Sequence, residues 1–121
     1  MHIEAYREYC LSKKGVEETF PFDDVTLVFK VMGKMFALTG LDNERFTVNL
    51  KCDPEWALEL RETYSEVVEG WHMSKKHWNT VAFDEGLDDK FLCQLIDHSY
   101  DMVVKGLTKK LKEELRLLNE E

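Results

Sequence analysis

The chain has 121 residues, enough for one domain and too few for two. Its 44 % apolar and 12 % aromatic content supports a packed core, while the lack of any apolar run of about 18 residues excludes a membrane-spanning helix. Acidic side chains outnumber basic ones by 24 to 16, a net charge of −8, so the molecule as a whole repels a phosphate backbone, and any nucleic-acid contact needs a local positive surface.

Met1-His2-Ile3-Glu4 has no basic stretch followed by an apolar one, so no signal peptide is read and the cytoplasm is the expected compartment. Cys10, Cys52 and Cys93 are odd in number and widely spaced, with no CxxC pair. They read as small, buried apolar residues of a reducing compartment.

In chain order, residues 2–14 form a first helix, with Ile3, Tyr6 and Cys10 at helical spacing and Gly15 as its stop. Residues 17–24 read as an acidic loop with Phe20 and Phe22 around Pro21. Three strands follow. Residues 25–31 put Leu27, Phe29 and Val31 on one face, Met32-Gly33 makes a two-residue turn, and residues 34–39 return. After a turn at 41–44, residues 45–51 alternate Phe46, Val48 and Leu50 with Thr47, Asn49 and Lys51.

Asp53-Pro54-Glu55 is a helix start, with Asp53 as N-cap and Pro54 at the first helical position. This second helix runs to about residue 66 with Trp56, Ala57, Leu60 and Tyr64 as its apolar stripe. Residues 70–77 read as a loop and residues 78–83 as a fourth strand. A long last helix begins near Asp88, whose carboxylate can cap it, and carries Leu92, Leu95, Ile96, Ser99, Val103, Leu107 and Leu111 on one stripe. Gly106 is a mild interruption, and the tail from residue 113 frays. The expected fold class is α+β, in the order α-β-β-β-α-β-α, with one antiparallel sheet and helices packed on one face.

Six stretches stand out: Pro21-Phe22-Asp23, Val28-Phe29-Lys30-Val31, Gly33 to Leu38, Asn49 to Glu55, Gly70-Trp71-His72-Met73-Ser74-Lys75-Lys76-His77-Trp78-Asn79-Thr80-Val81, and Leu95-Ile96-Asp97-His98-Ser99-Tyr100. These stretches resemble the MmcQ/YjbR family. They span nearly the whole chain in the family's order. The resemblance implies a small α+β fold similar to secretion-chaperone and CyaY-like architectures. It also implies DNA binding, for which the family carries a "double wing" description. One departure is Glu69-Gly70-Trp71 in place of a common Pro-Gly-Tyr, which adds a negative charge beside a basic loop.

That loop is the most informative segment. Residues 70–79 hold Lys75, Lys76, His72, His77, Trp71 and Trp78 and no acid. Lysines suit phosphates, and an exposed Trp or His suits a base. The competing reading makes the tryptophans core anchors, His77 a structural histidine and the lysines a solvated turn. Lys34 at the hairpin extends the DNA surface in the first reading. Lys105, Lys109, Lys110 and Lys112, and Lys13-Lys14, read as cations at helix C-termini that complement the dipole.

His72 and His77, five apart, lack the paired spacing of a zinc site, and no metal or cofactor is expected. His98, flanked by Asp97 and Asp101, reads as surface decoration or as a cap to a neighbouring loop. No nucleophile elbow, phosphate-binding glycine loop, HExxH or GxGxxG occurs, so no enzyme is expected. Two functions remain: a DNA-binding domain using Lys75, Lys76, His77, Trp78, His72, Trp71 and Lys34, or a protein-interaction or homodimerisation module.

Overall fold

The computed structural model describes residues 1–118. It contains α1 (Ile3–Leu11), β1 (Val16–Thr19), β2 (Thr26–Val31), β3 (Lys34–Gly40), β4 (Thr47–Lys51), α2 (Pro54–Thr63), β5 (Val67–Glu69), β6 (Trp78–Ala82), α3 (Asp89–Lys105) and α4 (Lys109–Leu117). The strands form one antiparallel sheet in the order β1-β2-β3-β4-β6-β5. The α+β class holds, and the described helices contribute to a single core on one face. Tyr6 and Cys10 of α1, Ala57 and Leu60 of α2, Leu92 and Ile96 of α3 and Leu115 of α4 meet Leu27, Phe29, Val48 and Val81 of the sheet. No described helix is long and apolar enough to cross a membrane.

Two strands and one helix break depart from the sequence reading. β1 overlaps the start of the expected acidic loop, and β5 lies just before the loop at 70–77. Each is too short, at four and three residues, to show a period-2 pattern. Each exists because a longer neighbour offers a free edge: Val16–Thr19 pairs with Val31–Val28, and Val67–Glu69 with Val81–Asn79. A fork from Arg7 to Glu18 clamps β1 to α1.

The long last helix ends at Gly106, and α4 begins afresh with Thr108 as N-cap, its hydroxyl accepting from Leu111 N at 3.2 Å. Residues 113–117 are therefore helical rather than frayed, while residues 119–121 of the expected tail lie outside the described residues. The Asp88 carboxylate makes no cap bond. α2 starts as the sequence says, Asp53 accepting from Trp56 N at 3.2 Å. The β2–β3 turn has Met32 and Gly33 at φ 50° and 83°, a type I′ turn that suits the strand twist.

One irregularity ties the sheet to α3. Met35 pairs with Lys30 and Ala37 with Phe29, so Phe36 is an extra residue in β3. Such a β-bulge turns neighbouring side chains to one side. Phe36 and Ala37 are accordingly both fully buried in the helix-side core, and the Phe36 ring meets Tyr100 edge-on at 5.5 Å.

The β3–β4 register ends at Leu50, leaving the next three amides without strand partners there. Ser99 of α3 accepts from Lys51 N at 2.8 Å and donates to Phe36 O at 2.5 Å. Cys52 N donates to His77 O at 2.8 Å, and Asp53 N donates to His98 Nε2 at 3.0 Å. Each of these three amides thus finds an acceptor. Of the two sequence readings of His98, the cap to a neighbouring segment holds.

An Nε2 that accepts must be unprotonated, and burial lowers the His98 pKa below 6.5, although Asp53 and Asp101 pull it up. The unfolded chain then binds the extra proton first, so stability falls as pH drops from 7 through the region below 6.5. Urea midpoints at pH 7.5 and 5.5 will show this slope. His98→Gln, whose amide oxygen reaches the same donor without titrating, will flatten it.

Candidate binding face

The face of the sheet away from the helices is only half covered. Strand alternation puts Thr26, Val28, Leu38, Gly40, Asn49, Thr80 and Val68 on that side. At one end the buried Trp78 lies on Val28 and Leu38, with Met35 and Met73 packed around it, forming a second small core. The other end is open and forms a cleft of about 750 Å³. Its floor is small and polar: Thr26, Gly40, Thr47, Asn49 and Thr80. Its walls come from three connections: Phe22 and Asp23 before β2, Asp42 and Asn43 after β3, and Trp71 and His72 after β5.

Two sets of long-range bonds shape the β5–β6 connection. On the sheet side, Trp71 N donates to Thr80 Oγ1 at 2.9 Å and Trp71 O accepts from Asn49 Nδ2 at 3.0 Å. The Thr80 hydroxyl closes the ring onto Asn49 Oδ1 at 2.6 Å. On the α2 side, Arg61 Nε donates to the buried Asn79 Oδ1 at 2.7 Å, and its guanidinium also reaches Lys75 O and Trp78 O. Gly70 permits the close approach between the two: a Cβ there would lie 2.8 Å from both Trp78 Cβ and Trp78 O.

The connection is therefore split. Trp71 and His72 border the cleft, whereas Lys75 and Lys76 line a shallow groove of about 210 Å³ against Pro54, Glu55, Leu58 and Arg61. Trp71 is 69 % exposed, the highest value among the described large apolar side chains, and stands edge-on to His72 at 4.8 Å. His72 takes a left-handed backbone, φ 58°, at the turn of the rim.

The sequence-derived DNA-contact residues separate accordingly. Trp78 does not belong among them: it is 9 % exposed, and its ring is spent on Val28 and Leu38, so no base can stack on it. His77 is half-buried and serves through its backbone, accepting from Cys52 N. Lys75 and Lys76 are exposed and, among the described residues, unpaired with any carboxylate. Lys34 is exposed at the β2–β3 hairpin, at the same end of the sheet as Trp78 but two strands away, roughly 10 Å laterally.

The other basic clusters complement a helix dipole only in part: Lys105 ends α3, whereas α1 has no base in its last turn. Lys13 pairs with Asp97, which also accepts from Tyr9, and Lys14 donates to Arg116 O at 3.0 Å. Lys109 and Lys110 occupy the first turn of α4, against the dipole rather than with it, because the helix breaks before them.

Phe22, Asp42, Asn49, Val68 and Thr80 were not among the sequence candidates. Asn49 and Thr80 look like ordinary outward residues of half-buried strands. Only the Phe20–Phe22 pair around Pro21 drew attention, and Phe22 is 64 % exposed at the cleft. Among the described residues no three His, Cys, Asp or Glu side chains gather as metal ligands. Cys10 and Cys52 are buried with thiols pushed up to about 12, chiefly by desolvation, and Cys93 is half-buried.

Two substitutions test this geometry. Arg61→Met removes the bonds to Lys75, Trp78 and the buried Asn79 amide and costs about 2–3 kcal/mol. Urea unfolding measures the loss, and hydrogen exchange will show faster opening over residues 74–79. His72→Gly relieves the left-handed backbone and raises stability by up to about 1 kcal/mol, whereas His72→Val lowers it. A thermal melt distinguishes the pair.

Comparison with known proteins gives a consistent result. The YjbR family model matches residues 11–102. Escherichia coli K12 YjbR is 34 % identical over 113 residues, covering 93 % of this chain and 96 % of the relative. Bacillus subtilis YyaQ is 29 % identical over 76 residues, 63 % of each chain. Among solved structures, Deinococcus radiodurans DR2400, of the DUF419 family, superposes with a TM-score of 0.87 at 40 % identity, covering 98 % of this chain and 89 % of that one. The match of family model, sequence and fold over most of its length means that the chain belongs to the YjbR family.

Proposed function

We propose that the protein is a non-catalytic binding module whose site is the cleft on the uncovered sheet face, where it takes a segment of another polypeptide. The observation that carries this reading is the gathering of Phe22, Val68 and Trp71, each more than half exposed, around one concavity. Exposed apolar side chains scattered singly need no explanation, but three around one cleft of ligand-binding size do. A Trp standing in solvent over a polar floor is the kind of anchor that dominates interface energy once covered. The lining carries Asp23, Asp42 and Glu69 and neither Lys nor Arg, which disfavours a phosphate backbone there.

The non-catalytic part has its own support. The His98 imidazole is occupied as an acceptor, Asp97 is bound to Tyr9 and Lys13, and the Cys10 and Cys52 thiols are held in the protonated, unreactive form.

A second reading, DNA contact, is favoured by the unpaired Lys75 and Lys76 and by Lys34 at the same end of the sheet. Three lysines bound to phosphates would give a salt slope of roughly −3 in log K against log salt.

Selection of random peptides on the immobilised protein discriminates the two. The expected outcome is a set of binders lost with Trp71→Ala and retained with Lys75→Ala/Lys76→Ala. Absence of Trp71-dependent peptides, together with duplex DNA binding that the double lysine variant abolishes, would overturn the first reading in favour of the second.

A further inference from the structure

The cleft on the uncovered sheet face supports one step more. We infer that the polypeptide segment it takes is basic, with an Arg or Lys side chain laid against the Trp71 ring and facing the carboxylates of the cleft wall. This rests on the reading of the cleft as a polypeptide site.

Three features converge on it. First, the lining is acidic without compensation: the wall residues Asp23 and Asp42 bring two carboxylates and no Lys or Arg accompanies them, and neither is in an ion pair among the described residues. Asp23 is fixed by its own turn, accepting from Val25 N at 3.0 Å, Thr26 N at 2.7 Å and Thr26 Oγ1 at 3.1 Å, and these bonds hold its carboxyl below the usual range, so the charge persists in mild acid.

Second, the two exposed rings, Trp71 and Phe22, border the same space. An aromatic face attracts a guanidinium or ammonium, and Trp does so best. The Trp71 backbone is held at both its N–H and its C=O, so the ring stands on a fixed base and only its side-chain torsions have to be ordered on binding.

Third, the alternatives fit worse. A second copy of this chain, at net charge −8, would bring acid against acid, and a nucleic acid would bring phosphate against the same carboxylates. A neutral segment would cover the rings and leave the Asp42 carboxylate on the wall without a counter-charge. Only a cation uses both the rings and the charges.

The experiment starts from peptides selected on the intact protein. Each is resynthesised with its Arg residues replaced by citrulline, which keeps the shape and removes the charge. Binding is followed through the Trp71 indole N–H resonance, assigned by its absence in Trp71→Phe. The inference expects selected sequences enriched in Arg and Lys, and binding about tenfold weaker after the citrulline exchange. That difference should shrink in Asp42→Asn, which alters a wall residue that makes no ion pair among the described residues.

Citrulline peptides that bind as tightly as their parents would overturn the basic-segment inference and leave the polypeptide reading standing. Absence of any Trp71-dependent peptide would overturn both. A shift of the Trp71 indole by duplex DNA, or by raising the protein's own concentration, would assign the cleft to that partner and overturn the inference.

Discussion

The eight residues between β5 and β6 satisfy only part of their own backbone, and what satisfies the rest shapes the surface of the molecule. Arg61 reaches across from α2 to the carbonyls of Lys75 and Trp78 and to the Asn79 amide. Thr80 and Asn49 take the N–H and C=O of Trp71 on the sheet. These anchors pull the two halves of one connection to different places. A segment that carries lysines, imidazoles and indoles within a few positions therefore does not present them together. Its aromatic half joins the cleft, and its basic half lies along α2.

The anchors also explain why the uncovered face is neither flat nor fully open. Holding the connection down brings Met73 and Trp78 over Val28 and Leu38, which closes the end of the face nearest the β2–β3 hairpin. A half-solvated antiparallel sheet ordinarily shows a polar outer side. Here that side holds a small apolar core at one end and a polar-floored cleft at the other. The acidic residues on the walls and the lysines outside it keep positive and negative surfaces apart, although the net charge is strongly negative.

α3 supports this arrangement from the opposite face. Ser99 and His98 take the amides that β4 leaves free, and the amide between them goes to His77 O at the start of β6. The bulge at Phe36 delivers the carbonyl that Ser99 needs and turns Phe36 onto Tyr100. The end of β4 thereby fixes both the start of α2, which carries Arg61, and the end of the connection that Arg61 holds. Helix packing on one side and the cleft on the other are coupled through this short junction.

The sequence by itself determined the family, the fold class, α1, the tight β2–β3 hairpin and the capped start of α2. Each of these is written in residues a few positions apart: a two-residue turn with its glycine at Met32-Gly33, an Asp-Pro-Glu start, apolar spacing of three and four. Only the tertiary structure decided the rest. β1 and β5 are strands because a neighbour offers an edge, and α4 is a separate helix because the chain breaks at Gly106 and Thr108 caps a new start. Trp71 and Trp78, seven residues apart and chemically alike, become an exposed rim and a buried anchor because their surroundings come from residues far along the chain: Asn49 for one, Val28 and Leu38 for the other. Burial is a property of what the fold brings near, and no local spacing encodes it.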